Sequence, residues 1–141
     1  MAWLEPLVAG AAVVLADQLS KRHVLAQPRW RDTPGPRAFF AIRCILNRRA
    51  AVMPLRARWL IVGVWILCAA LALLSLSQGP LAQGTVAAVG IGMAVGGITG
   101  NLMDRLQRGG AVDFIAIYPW VFNLADLAIV GGLALALWVL V

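Results

Sequence analysis

Between Arg58 and Asp104 the chain runs for 45 residues without one Asp, Glu, Lys or Arg. A helix or strand at a water-soluble surface does not stay uncharged for so long. One transmembrane helix takes about 20 apolar residues, so the tract predicts two spans and a turn between them. Ser75-Leu76-Ser77-Gln78-Gly79-Pro80, with Gln83-Gly84 beyond, supplies that turn, because Gly and Pro interrupt helices. Trp3 to about Val24 is a third apolar run and Val121 to Val141 a fourth. The fourth would be about 31 Å long as a helix.

The expected fold is therefore an all-α membrane protein. A single integral membrane domain over residues 1–141 holds four transmembrane helices, near 3–24, 59–76, 81–104 and 121–141, with a small extramembrane loop region after the first. Composition agrees: 62% of residues are hydrophobic and 13% charged, against about a half and a quarter in soluble domains. No basic segment precedes the first run, and the run outlasts the apolar core of a cleaved leader, so it reads as a retained helix. Four spans would return both termini to one side.

Net charge is +6. In a chain of this kind the excess reads as topology and lipid-headgroup contact, and no nucleic-acid partner is expected. Cys44 falls in the first loop and Cys68 within the second span, so the two are not expected to pair. His23 is the single histidine; neither a metal site nor a cofactor is expected.

Six carboxylates are present, and four of them, Asp17, Asp104, Asp113 and Asp126, lie in or beside apolar spans. Ionisable groups at membrane depth are costly and mark function. Asp126 stands about one and a half turns into the last run, with Asn123 three residues earlier on the same helix face. A hydrogen bond to a neighbouring helix would equally explain it. Asp113 follows Gly109-Gly110-Ala111-Val112, where an ordinary turn residue is the plainer reading. Only 12 residues separate Asp113 from Asp126, and Tyr118-Pro119-Trp120 can turn the chain back so that both reach one membrane face.

The third span ends on Gly96-Gly97-Ile98-Thr99-Gly100-Asn101-Leu102-Met103-Asp104-Arg105. Asn101 and Asp104 share a face, and Arg105 follows Asn101 by four. Gly92, Gly96 and Gly100 form a stripe along which another helix can approach closely. Asp17 and Lys21 are four apart with the acid first, the favoured order for an intrahelical pair. Such a pair offsets its own burial whether or not it has a further role.

No Ser or Cys stands beside a plausible base, and neither an HExxH nor a GxSxG pattern occurs. What remains for hydrolysis is a pair of aspartates. Two close carboxylates cannot both ionise, so one keeps a proton while the other stays charged. The charged one can activate water, and the protonated one can donate to the developing oxyanion.

Asp17-Gln18-Leu19-Ser20-Lys21, Gly100-Asn101-Leu102-Met103-Asp104-Arg105, Val112-Asp113-Phe114 and Phe122-Asn123-Leu124-Ala125-Asp126 together resemble the ordered motifs of lipoprotein signal peptidases, the signal peptidase II family. The resemblance covers all four spans in order. It implies a bacterial cytoplasmic (inner) membrane enzyme, multi-pass, with cytoplasmic termini and an active site toward the periplasmic face. Such an aspartic endopeptidase removes the signal peptide from diacylglyceryl-modified prolipoproteins, cutting before the lipidated Cys. By motif position Asp113 and Asp126 would be catalytic. Asp17, Lys21, Asn47, Asn101, Asp104, Arg105 and Asn123 would support them or the substrate, with no metal.

The family's second motif, Asn-x-Gly-Ala-Ala-Phe, stands here as Asn47-Arg48-Arg49-Ala50-Ala51-Val52. Arg49 would fit poorly where a turn needs positive φ. Residues 28–55 leave little room for a β-cradle, and the 113–126 connection is brief. The first loop also carries Arg29, Arg31, Arg37, Arg43, Arg48, Arg49 and Arg56. Counted by charge alone, that loop belongs in the cytoplasm, whereas the resemblance puts it outside; arginines gripping membrane phospholipids would reconcile the two. Two alternatives stand beside the peptidase. One is a catalytically impaired relative that binds lipidated peptides, and the other is a small proton-coupled membrane carrier using Asp126 and Asp17. The second span offers a carrier little polar lining.

Overall fold

The computed structural model describes residues 3–27, 39–48, 55–78 and 84–138. In chain order they form α1 (Leu4–Leu25), β1 (Phe40–Asn47), α2 (Leu55–Gln78), α3 (Thr85–Arg108), β2 (Ala111–Ile117), β3 (Trp120–Phe122) and α4 (Leu124–Trp138). The fold is mostly helical. Each helix lies on one of the expected apolar runs, but its ends are displaced. α3 reaches Arg108, a full turn past Asp104, and stops where Gly109 takes the left-handed conformation, with φ of 72°. Residues 79–83 of the expected turn and much of the first loop, including Arg29, Arg31, Asp32, Arg37, Arg49 and Val52, lie outside the described residues.

A three-stranded antiparallel sheet corrects the all-α expectation. The strand order is β1-β2-β3. Phe40 pairs with Ile117 and Asn47 with Ala111, with a bulge between Ile42 and Ile45. β2 then turns through Tyr118-Pro119 into β3, so that Ile115 faces Phe122 and Ile117 faces Trp120. β1 thus occupies the segment judged too short for a cradle, because eight residues suffice once β2 supplies the partner. The start of the fourth apolar run belongs to β3, and α4 begins at Leu124. Asp126 accordingly stands in the first turn of its helix, not one and a half turns in. A short apolar run cannot be told apart as strand or helix by periodicity alone.

Packing among the helices is inverted relative to a soluble bundle. Leu7, Val8, Leu15 and Leu19 of α1 and Leu127, Val130, Leu133 and Leu137 of α4 are exposed, whereas the buried helix positions, Pro6 and Val24 apart, are small or polar. Asp17, Lys21, Asp104 and Asn123 have no solvent exposure at all. Lipid tails are as apolar as leucine, so helix association in a bilayer rests on close backbone approach and polar contacts. The Gly stripe meets that need. A Cβ at Gly92 would collide with the Pro6 backbone, and one at Gly96 would lie 2.5 Å from the Gly10 carbonyl oxygen. On the side toward α4, Gly97 abuts the backbone of Ala125. Trp65 Nε1 of α2 donates to Thr99 Oγ1 of α3 at 3.1 Å.

Candidate active site

Asp113 and Asp126 come together through Asn123 where the sheet joins the helices. Asp113 stands on β2, opposite Ile45 of β1. Asp126 is the third residue of α4, and Asn123 caps that helix. Asn123 Oδ1 accepts the Asp126 backbone N–H at 2.9 Å, while Asp126 Oδ2 accepts the Asn123 backbone N–H at 3.1 Å. The result is a reciprocal capping box in which the acidic member is a candidate reactive group.

Asn123 also reaches the other carboxylate, its Nδ2 donating to Asp113 Oδ1 at 2.7 Å. Asp113 Oδ2 accepts from Asn47 Nδ2 at 3.0 Å. Asn47 lies across the strand pair from Ala111, two residues before Asp113 on the same sheet face. Asp126 Oδ1 accepts from Asn101 Nδ2 at 2.8 Å. Asn101 Oδ1 in turn accepts from Asn123 Nδ2 at 3.0 Å and from Lys21 Nζ at 3.2 Å. Three amides from β1, α3 and the α4 cap therefore hold both carboxylates, and no ion pair to a cation is formed by either among the described residues.

Burial pushes the Asp113 carboxyl above its ordinary range. Hydrogen bonds from Asn47 and Asn123 pull it back, the negative charge of Asp126 raises it further, and Lys21 lowers it. Asp113 is 5% exposed, while Asp126 is half-buried.

A second cluster lies alongside, with Asp17, Lys21 and Asp104 fully buried at its centre. Lys21 Nζ contacts Asp17 Oδ2 at 2.7 Å and Asp104 Oδ2 at 2.8 Å. Arg108 pairs with Asp104, four residues back on α3, and its Nη1 donates to Gln18 Oε1 at 3.2 Å. Gln18 Nε2 lies 3.2 Å from Asp17 Oδ2, from Asp104 Oδ1 and from the Gly100 carbonyl oxygen.

Comparison with known proteins gives the setting for this geometry. A family model for signal peptidase (SPase) II matches residues 9–141. A lipoprotein signal peptidase of Azoarcus sp. is 35% identical, the match covering 98% of this chain and 83% of the relative. That of Caulobacter vibrioides is 42% identical over 96% of this chain and 84% of the relative. The chain belongs to the signal peptidase II family. It is accordingly a membrane protein. Its fold is also that of a bacterial membrane enzyme solved by the in meso method at 1.9 Å resolution, with a TM-score of 0.77 at 23% identity. That match covers 96% of this chain and 92% of the other.

Of the candidate residues read from the sequence, the structure brings Asp113, Asp126, Asn47, Asn101 and Asn123 into one hydrogen-bonded group, and Asp17, Lys21 and Asp104 into the adjoining one. Arg105 is half-buried and makes no hydrogen bond or ion pair with another described residue. Gln18 and Arg108 were not singled out. A signal existed for each: Arg108 follows Asp104 by four in the favoured order, and Gln18 is a polar residue beside Asp17 in an apolar run.

Proposed function

We propose that this chain is a multi-pass enzyme of the bacterial inner membrane that removes signal peptides from diacylglyceryl-modified prolipoproteins, cutting before the lipidated Cys with Asp113 and Asp126 as its catalytic pair. The single observation that carries the assignment of residues is Asn123, which donates its side-chain N–H to Asp113 and its backbone N–H to Asp126. Family membership carries the reaction.

Asp126, with both oxygens accepting N–H donors, takes a proton from water as the water oxygen attacks the scissile carbonyl. Asp113, whose proton is retained by burial, gives it to the carbonyl oxygen. On collapse Asp126 passes its proton to the departing amine, and Asp113 recovers the hydroxyl proton as the new carboxyl group forms. No covalent intermediate arises.

Four spans with the sheet on the outer side fit this reading. α3, at 24 residues, has the length and hydropathy of a span. α1, α2 and α4 complete the bundle, and the dyad sits at the sheet end of α4, within reach of a lipid-anchored substrate. Membrane phospholipids surround the leucine-rich outer faces.

Purified protein in detergent, given a lipidated prolipoprotein, tests the assignment. Asp113→Asn and Asp126→Asn should each lower cleavage by about 10²–10⁴-fold. Intact substrate that stays bound to the unaltered protein would instead favour a binding relative, and full cleavage by either variant would remove that residue from the pair.

A further inference from the structure

Each of the two buried supporting carboxylates accepts one backbone N–H, and the two N–H groups are not arbitrary ones. Asp104 Oδ2 accepts from Val112 N at 3.1 Å, and Val112 immediately precedes Asp113. Asp17 Oδ1 accepts from Ala125 N at 3.0 Å, and Ala125 immediately precedes Asp126. One carboxylate thus grips the strand just ahead of the first dyad member, and the other grips the helix start just ahead of the second. Between them stands one ammonium group, Lys21 Nζ, at 2.7 Å from Asp17 and 2.8 Å from Asp104.

We propose that Asp17, Lys21 and Asp104 form a positioning yoke that fixes the separation of Asp113 and Asp126, with Lys21 as its pivot. These are positioning residues, since none of the three hydrogen-bonds a dyad carboxylate. The proposal rests on the dyad assignment for its catalytic consequence, while its structural content stands apart. α1 carries the pivot, α3 one arm and β2 and α4 the gripped backbone, so four elements are tied through one nitrogen. Lys21 also donates to Asn101 Oδ1 at 3.2 Å, which turns the Asn101 Nδ2 toward Asp126. Gly100 leaves the room for this arrangement, since a Cβ there would lie 2.6 Å from Asp17 Oδ2. Arg108 and Gln18 close the rim, and two acids against two cations leave the cluster neutral.

Lys21→Met removes the pivot. Misplacement of reacting groups by about 1 Å costs about 10²-fold, so kcat should fall by about that factor with KM changed less than about twofold. Because loss of the ammonium leaves one buried acid in excess, which can spoil folding, the second variant is Lys21→Met with Asp104→Asn. It keeps an oxygen acceptor for Val112 N–H and balances Asp17 against Arg108, but breaks the bridge. A kcat that stays low in this double variant supports the yoke; recovery toward the unaltered value would reduce Lys21 to a charge neutraliser and overturn it. Residue-resolved amide exchange in micelles gives a reading independent of cleavage. In the double variant the Val112 and Ala125 amides should both exchange faster, by about tenfold or more, while the middle of α3 stays protected. Protection unchanged at both, or lost at one alone, refutes the coupling even if the dyad variants prove inactive. Conversely, joint loss of protection with dyad variants that still cleave would uphold the yoke and reject the dyad.

Discussion

Four aspartates lie within one small region, yet they are kept in two different ways. Asp113 and Asp126 are held by the side-chain amides of Asn47, Asn101 and Asn123 and, at Asp126, by one backbone N–H. Asp17 and Asp104 are held by Lys21, with Arg108 added on Asp104. An amide offers a hydrogen bond without a full charge, so its carboxylate partner can gain or lose a proton during a reaction. An ammonium or guanidinium ties a carboxylate into a permanent pair. On the proposed assignment, the same residue type is made reactive in one cluster and structural in the other by its neighbours.

Substitutions that strike one cluster and spare the other sharpen this contrast. The largest effect on stability is expected from Asp104→Ala. Breaking a buried ion pair from one side costs about 3–5 kcal/mol, so thermal unfolding in detergent should occur at markedly lower temperature. Asp113→Asn should leave the unfolding temperature near that of the unaltered protein while removing activity. Equal losses of stability in the two variants would erase the distinction. Gly100→Ala comes next, since its new methyl would press on Asp17. Overpacking costs about 1–3 kcal/mol, and unfolding measurements should show it as a loss of stability, with kcat reduced as the ionic cluster shifts.

The smallest effect concerns pH. Asn47 lowers the Asp113 carboxyl from the position to which burial raises it, so Asn47→Ala should let Asp113 keep its proton to higher pH. With Asp113 as the proposed acid, activity is lost as it deprotonates, and the alkaline limb of the pH–rate profile should move upward. A downward shift would assign the donated proton elsewhere.

Local spacing made much of this legible in the sequence. The i, i+4 order of Asp17 and Lys21 announced their pair, and the Gly92-Gly96-Gly100 stripe announced a close neighbour, which is α1. The shared face of Asn123 and Asp126 pointed to a joint role. What escaped was the pairing of β1 with β2, across 66 residues between Asn47 and Asp113. β1 has a bulge between Ile42 and Ile45, so a clean alternation is missing, and nothing local identifies its partner. β3 was hidden because Val121-Phe122 is too short an apolar piece, set beside the longer run of α4, for periodicity to mark it as strand. Lys21 reaching across to Asp104 is likewise a tertiary fact, since spacing on α1 names only the partner within that helix.

Asn123 and Asp126 close the first turn of α4 on each other, so the proposed reactive group is also part of what begins its helix. Unwinding that single turn would dismantle catalysis while leaving the remainder of the bundle intact. A compound that wedges under the start of α4 would then silence the enzyme without ever occupying the place of the peptide.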